Sequence, residues 1–113
     1  MIQARFYQKP SKGSIHMTLK GHAGAAPKGE DLVCASATML AYTVAQAVKF
    51  LHEQGLLKME PKISIQEGNA TIIATPTEDG YAPTLHTFWV AQCGIHVLKH
   101  NYPQNVQLEH LKV

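Results

Sequence analysis

Written as an extended chain, Ile2, Ala4 and Phe6 fall on one face while Gln3, Arg5 and Tyr7 fall on the other. The same period of two returns in Ile15, Met17 and Leu19, opposed by His16, Thr18 and Lys20, after the turn-forming run Lys9-Pro10-Ser11-Lys12-Gly13. Two short strands with one apolar face each, joined by such a turn, predict an antiparallel hairpin. An isolated hairpin is marginal in water, so the rest of the chain must cover that face.

From Asp31 the period changes. Val33, Leu40, Val44, Ala47, Val48 and Leu51 recur at helical spacing while Ser36, Thr43, Gln46 and Glu53 fall elsewhere. Asp31 as N-cap and Gly55 as stop frame a helix of roughly 35 Å at 1.5 Å per residue. After Pro61, the residues Ile63 and Ile65, the turn Glu67-Gly68-Asn69 and the apolar run from Ala70 to Thr75 predict a second hairpin whose second strand is largely buried. A second helix is expected to start between Thr77 and Pro83, to run through Leu85, Trp89, Cys93 and Val97, and to stop before Pro103. Val106, Leu108 and His110 alternate as a last strand. The order ββαββαβ predicts an α+β fold, one sheet with two helices packed on it, as a single domain over residues 1–113.

Composition narrows the function classes. With 113 residues, 45% of them apolar and 16% charged, the chain can bury one core and has no room for two. A net charge of +2 falls far short of a surface built to hold a phosphate backbone, so direct nucleic-acid binding is not expected. Arg5 interrupts the only apolar residues near the start, and no apolar run reaches membrane-spanning length, so neither a signal peptide nor a membrane partner is expected. Two cysteines, Cys34 and Cys93, are too few for a disulfide scaffold, which fits a reducing cytoplasm.

The segment Gly21–Glu30 (GHAGAAPKGE) holds three glycines and a proline without periodicity and reads as an exposed, mobile loop over residues 22–30. Cys34 becomes the third helical residue if Asp31 is the N-cap, beside unsatisfied N–H groups that favour a thiolate. His22 stands just across the loop. Cysteine and histidine at such a join form a candidate nucleophile and base, although Cys34 read alone is a small buried helix residue and His22 alone a polar loop residue. Cys93 reads as a core thiol that resists alkylation.

Gly21-His22-Ala23-Gly24 followed by Gly29-Glu30-Asp31-Leu32-Val33-Cys34-Ala35 resembles the GHA and G-x-D-[IL]-V-C-A signature of the bacterial ribosomal-processing cysteine proteases. The likeness runs on through the helix after Cys34, the hairpin around Gly68, Gly94, and Tyr102-Pro103 before the closing strand. It implies a cysteine endopeptidase that removes a short N-terminal extension from a large-subunit ribosomal protein precursor, with Cys34 as nucleophile and His22 as base and acid. It further implies a homodimer, an aromatic residue before the cleaved bond, an apolar groove covered by the loop that holds Ala23, Gly24 and Gly29, and no metal or other cofactor. Strand addition of the peptide to a sheet edge is one expected binding mode, and N–H groups at the helix start, that of Cys34 included, are expected to hold the oxyanion.

Asp31 matches a family position; as a residue it reads first as a cap bonding the N–H of Val33 or Cys34, and second as a group that orients His22. Gly21 and Gly24 read as sources of backbone freedom. Thr38, one turn after Cys34, stands where the family usually carries serine and keeps the hydroxyl with fewer rotamers. The loop centre Ala25-Ala26-Pro27 is smaller than the family pattern.

Two other classes compete. His86, Cys93, His96 and His100 lie within about 80° on a helical wheel and form a potential metal stripe, but Leu85 and Trp89 share it and point to a core or subunit-contact face. Lys9, Lys12 and Lys20 leave open a non-catalytic ribosome- or RNA-associated module, also dimeric in its metal-binding form, though such lysines usually form a solvated face.

Overall fold

The alternation of the first 20 residues forms the hairpin it predicts. In the computed structural model, which describes the backbone of residues 1–21 and 28–112 and the side chains of 1–21 and 32–112, β1 (Ile2–Lys9) pairs antiparallel with β2 (Ser14–Lys20), Phe6 opposite Met17. Gly13, at φ +63°, closes the turn and donates its N–H to the Pro10 carbonyl at 3.2 Å.

The remaining elements are α1 (Lys28–Glu53), β3 (Lys62–Gln66), β4 (Asn69–Ala74), α2 (Tyr81–Asn101) and β5 (Val106–Glu109). The fold is α+β in the expected order, one five-stranded sheet ordered β3-β4-β2-β1-β5 with two helices. β4 returns antiparallel beside β2, and β5 lies parallel to β1, so each helix bridges strands of the same sheet. Ile2, Ala4, Phe6, Ile15, Met17, Leu19, Ala70, Ile72 and Ala74 share one core with the buried faces of both helices.

In α1 the buried stripe is Val33, Ala37, Ala41, Val44, Ala45 and Val48. The stretch Leu32–Glu53 is, by length and composition alone, apolar enough to cross a bilayer, which corrects the expectation that no run reaches that length. The stripe packed into the sheet's core identifies it as a core helix. Its end is closed by Gly55: at φ +77° this glycine donates to the His52 carbonyl at 3.0 Å while Leu56 donates to that of Leu51 at 3.0 Å, a Schellman closure. Its start differs from expectation. The helix begins at Lys28, so residues 28–30 are helical rather than loop, and Asp31 lies inside the first turn rather than at the N-cap.

In α2 the core takes Thr84, Phe88, Ala91, Gln92 and Ile95. The run Leu85, Trp89, Cys93, Val97 is therefore not the core stripe: Trp89, Val90 and Val97 are exposed, and so is Cys93, the expected core thiol. The buried stripe mixes threonine and glutamine with apolar residues, and the side-chain Oε1 of Gln92 accepts the N–H of Leu111, tying the last strand's exit to the helix. Gly94 lets α1 approach, since a Cβ there would meet the Leu40 methyls at 2.8 Å. At the head of α2, a Cβ on Gly80 would lie 1.8 Å from the Leu56 carbonyl oxygen. The same oxygen accepts from the Thr77 hydroxyl at 3.2 Å.

The outer face of β2 is also covered, although alternation places His16 and Thr18 toward water. A strand bonded on both sides is shielded by its neighbours' side chains, and His16 is only 4% exposed. Its ring stacks on Tyr7 with centroids 4.6 Å apart, and its Nε2 lies 2.7 Å from the Ser14 hydroxyl. Burial, then the positive charges of Lys9, Lys12 and Lys62, hold its pKa below the ordinary 6.5. The unfolded chain thus takes up this proton more readily than the folded one. The stabilising contribution is whole above about pH 6.5 and is lost as pH falls toward the depressed folded value. His16→Gln, which can bond Ser14 but cannot charge, is expected to show a shallower fall in Tm than wild type between about pH 7 and 5; parallel curves would remove His16 from that acid sensitivity.

Candidate active site

The hydrogen-bond ladder of β2 ends at Gly21. Its φ of +108° is a backbone conformation that side chains rarely adopt, and a Cβ would sit 2.2 Å from the Met1 carbonyl oxygen. Its N–H donates to the Gly68 carbonyl at 3.0 Å, which ties the end of β2 to the turn between β3 and β4. Expected as a source of backbone freedom, Gly21 is a point of close backbone approach.

Cys34 stands across from this junction on α1, partly buried and packed against the core. One turn later Thr38 lies on the same face, and Ala37 beside it is buried. Cys34, Ala37, Thr38, Gly21, Ile2, Leu19, Ile65, Gln66, Gly68, Asn69 and Ala70 enclose a groove of about 40 Å³. Cys34 thus borders a narrow channel between the helix and the end of the sheet, lined in part by small side chains.

The start of α1 alters one element of the expected chemistry. With Lys28 as the first helical residue, Cys34 is about 9 Å along the axis from the helix start, and its N–H pairs within the helix with the Glu30 carbonyl. The field of a helix end fades within its first turn. The Cys34 N–H is therefore not available as an oxyanion donor, and the sulfur's residue lies beyond the first turn of the helix.

The structure brings together three of the residues singled out from sequence: Gly21, Cys34 and Thr38. His22, Ala23 and Gly24 lie outside the described residues, and of Gly29 and Asp31 only the helical backbone is described. Sequence reasoning missed the opposite wall, formed by Ile65, Gln66, Gly68, Asn69 and Ala70. The turn was visible as Glu67-Gly68-Asn69, of which Asn69 is the first residue of β4, but its place beside Cys34 depends on β4 docking against β2, which no local pattern encodes. Among the described residues no three histidine, cysteine or acidic side chains form a group that could hold a metal ion. His86 instead borders an apolar hollow with Leu85, Trp89 and Val90, and His96 sits 6.1 Å from His110.

Replacing Gly21 by alanine should lower stability by about 2 kcal/mol or more, because both the positive φ and the Met1 carbonyl oppose a methyl group. Thermal denaturation measures it, and an unchanged Tm would show that the end of β2 can relax.

The family model described as cysteine protease Prp matches residues 1–107. Among solved structures, the essential ribosomal processing protease Prp from S. aureus in complex with a covalently linked product peptide has a TM-score of 0.70 and 20% identity, covering 99% of this chain and 100% of that one. The same S. aureus protease with a substrate peptide gives 0.70 and 17%, again over 99% and 100%. These two likenesses speak to the fold. SMU.848 from Streptococcus mutans gives 0.70 at 26% identity over 99% of this chain and 96% of that chain. No curated protein matches the chain. With the family model spanning nearly the full length, the sulfur-bearing groove lies in a chain that belongs to the Prp family of cysteine proteases.

Proposed function

We propose that the chain is a cysteine endopeptidase that removes the short N-terminal extension of a large-subunit ribosomal protein precursor and so supports ribosome assembly in the cytoplasm. The observation that carries this reading is that Gly21 and Cys34 line one groove while His22 follows Gly21 directly in the chain. The S. aureus relatives, whose names specify ribosomal processing and a bound peptide, support the substrate class.

In this mechanism His22 takes the Cys34 thiol proton, and the sulfur attacks the scissile carbonyl carbon. The carbonyl oxygen becomes an oxyanion as the C–S bond forms. Collapse expels the amine, which receives the proton from His22, and leaves a thioester on Cys34. Water, deprotonated by His22, then attacks the thioester, and the thiolate departs as the new carboxylate forms. Thr38 offers its hydroxyl from one turn away, Asp31 serves the head of α1 or orients His22, and Ala23, Gly24 and Gly29 belong to the loop that covers the peptide. Since the helix end is too distant to activate the sulfur, the imidazole carries that task. No metal or other cofactor is required by these steps.

The exposed Leu32, Met39, Tyr42 and Phe50 of α1 and Trp89, Val90 and Val97 of α2 support a second part of the reading, that two copies pair through this side of the helices. Sedimentation should give about twice the 12.4 kDa chain mass, and Trp89→Glu should shift it toward the monomer; a wild-type monomer at micromolar concentration counts against pairing.

The catalytic test uses a synthetic precursor peptide that includes the extension, with products weighed by mass spectrometry. Cys34→Ser should abolish cleavage and His22→Ala should slow it by about 10²- to 10⁴-fold. Unchanged cleavage removes the substituted residue from the pair. Exposure alone makes Cys93 the faster thiol toward iodoacetamide, so preferential labelling of the less accessible Cys34 at neutral pH is the expected mark of activation, and its loss in His22→Ala assigns that activation to the imidazole.

A further inference from the structure

The sheet has two edges, and one of them borders the groove that Cys34 lines. In an antiparallel hairpin with a two-residue connection, the closing pair exchanges both backbone hydrogen bonds, and bonded and non-bonded pairs then alternate. Glu67 and Gly68 form that connection, so the pairs Gln66–Asn69, Ser64–Thr71 and Lys62–Ile73 carry the ladder to β4. Ile63 and Ile65 therefore turn their N–H and C=O groups the other way. Among the described residues no strand lies beyond β3 to receive them.

Ile65 has a second property: it lines the groove that holds Cys34, and so does the next residue, Gln66. The same residue thus offers unused backbone groups at the edge and an apolar wall at the sulfur. The opposite edge, β5, contributes no described residue to that groove. Resting on the proteolytic reading above, we propose that the substrate peptide adds to β3 as a sixth strand, exchanging backbone hydrogen bonds with Ile63 and Ile65, and that this pairing delivers the scissile bond to Cys34.

Strand addition specifies the chemistry of the substrate. The segment must be extended and must carry free amide N–H groups two residues apart, at the positions opposite Ile63 and Ile65. Its side chains alternate, one set turned toward the helix side of the sheet with Ile63 and Ile65, the other toward the side that carries Lys62, Ser64 and Gln66. Affinity then comes from the main chain, and selectivity from the apolar set that reaches the groove.

The test is a scan in which each backbone amide of the precursor peptide is N-methylated in turn and kcat/KM is measured with the full-length protein. Two amides, two residues apart, should each lose about tenfold or more through KM, while the amide between them stays within about threefold of the parent. Ile63→Pro removes an outward N–H without touching the ladder to β4 and should raise KM for the parent peptide at a retained Tm; should this variant unfold, the peptide scan decides alone. A flat profile, or losses confined to the amides flanking the cleaved bond, overturns strand addition while Cys34-dependent cleavage of the parent leaves the protease reading intact. No cleavage of the parent peptide overturns both.

Discussion

At the end of the central strand there is room for a hydrogen and nothing larger. Gly21 is pressed against the Met1 carbonyl on one side and bonded to the Gly68 carbonyl on the other, so β1, β2 and the β3–β4 turn meet at one backbone junction. The groove beside Cys34 exists because these segments converge there, with Ile2, Leu19, Gly21 and Gly68 each contributing a wall. The family motif's Gly-His pair thereby acquires a physical reason. The glycine is dictated by backbone crowding, and that crowding fixes where the chain leaves the sheet, immediately before the residue proposed as base.

What was legible in the sequence is what local periodicity encodes. The first hairpin, the second hairpin's turn around Gly68, the stop at Gly55 and the boundaries of α2 all follow from two- or 3.6-residue repeats and from residues that suit particular backbone angles. Strand order did not follow. β4 beside β2 and β5 parallel to β1 are choices among long-range pairings that present the same alternation, so the groove's second wall was invisible although its residues were in plain view. Of the two readings of the Leu85 and Trp89 stripe, core or subunit contact, the core one fails because Thr84 and Gln92 are buried while Trp89, Val90 and Val97 are exposed, an inversion of the usual polarity. His16 was placed on the solvent side by the same logic, which counts faces but not the cover that neighbouring strands provide.

Helix α1 answers two demands at once. Its small inward residues, Ala37, Ala41 and Ala45, let it lie close to the sheet, and Ala37 continues the low floor of the groove next to Cys34. Four of its larger apolar residues, Leu32, Met39, Tyr42 and Phe50, are exposed, while Leu40 and Leu51 pack partly against the core. A helix built only for monomer stability would place bulk inside and charge outside. This arrangement favours close approach at the site and leaves an apolar exterior that a second copy covers in the proposed assembly.

The position of Cys34 along that helix decides how the proposed chemistry is divided. A sulfur at the third helical position would borrow charge stabilisation and an oxyanion donor from the helix end; at the seventh, its own N–H is already bonded and the end is more than a turn and a half away. The Cys34 N–H is then not available as an oxyanion donor, and the proton acceptor of the proposed mechanism is the imidazole of His22. Cys34 supplies a nucleophile held on a rigid, packed element, and its reactivity in the proposed mechanism depends on the chain that leaves Gly21. Placing the nucleophile on one element and its proposed activator just after the end of another makes the proposed chemistry depend on how α1 docks against the end of β2, where Cys34 and Gly21 line one groove.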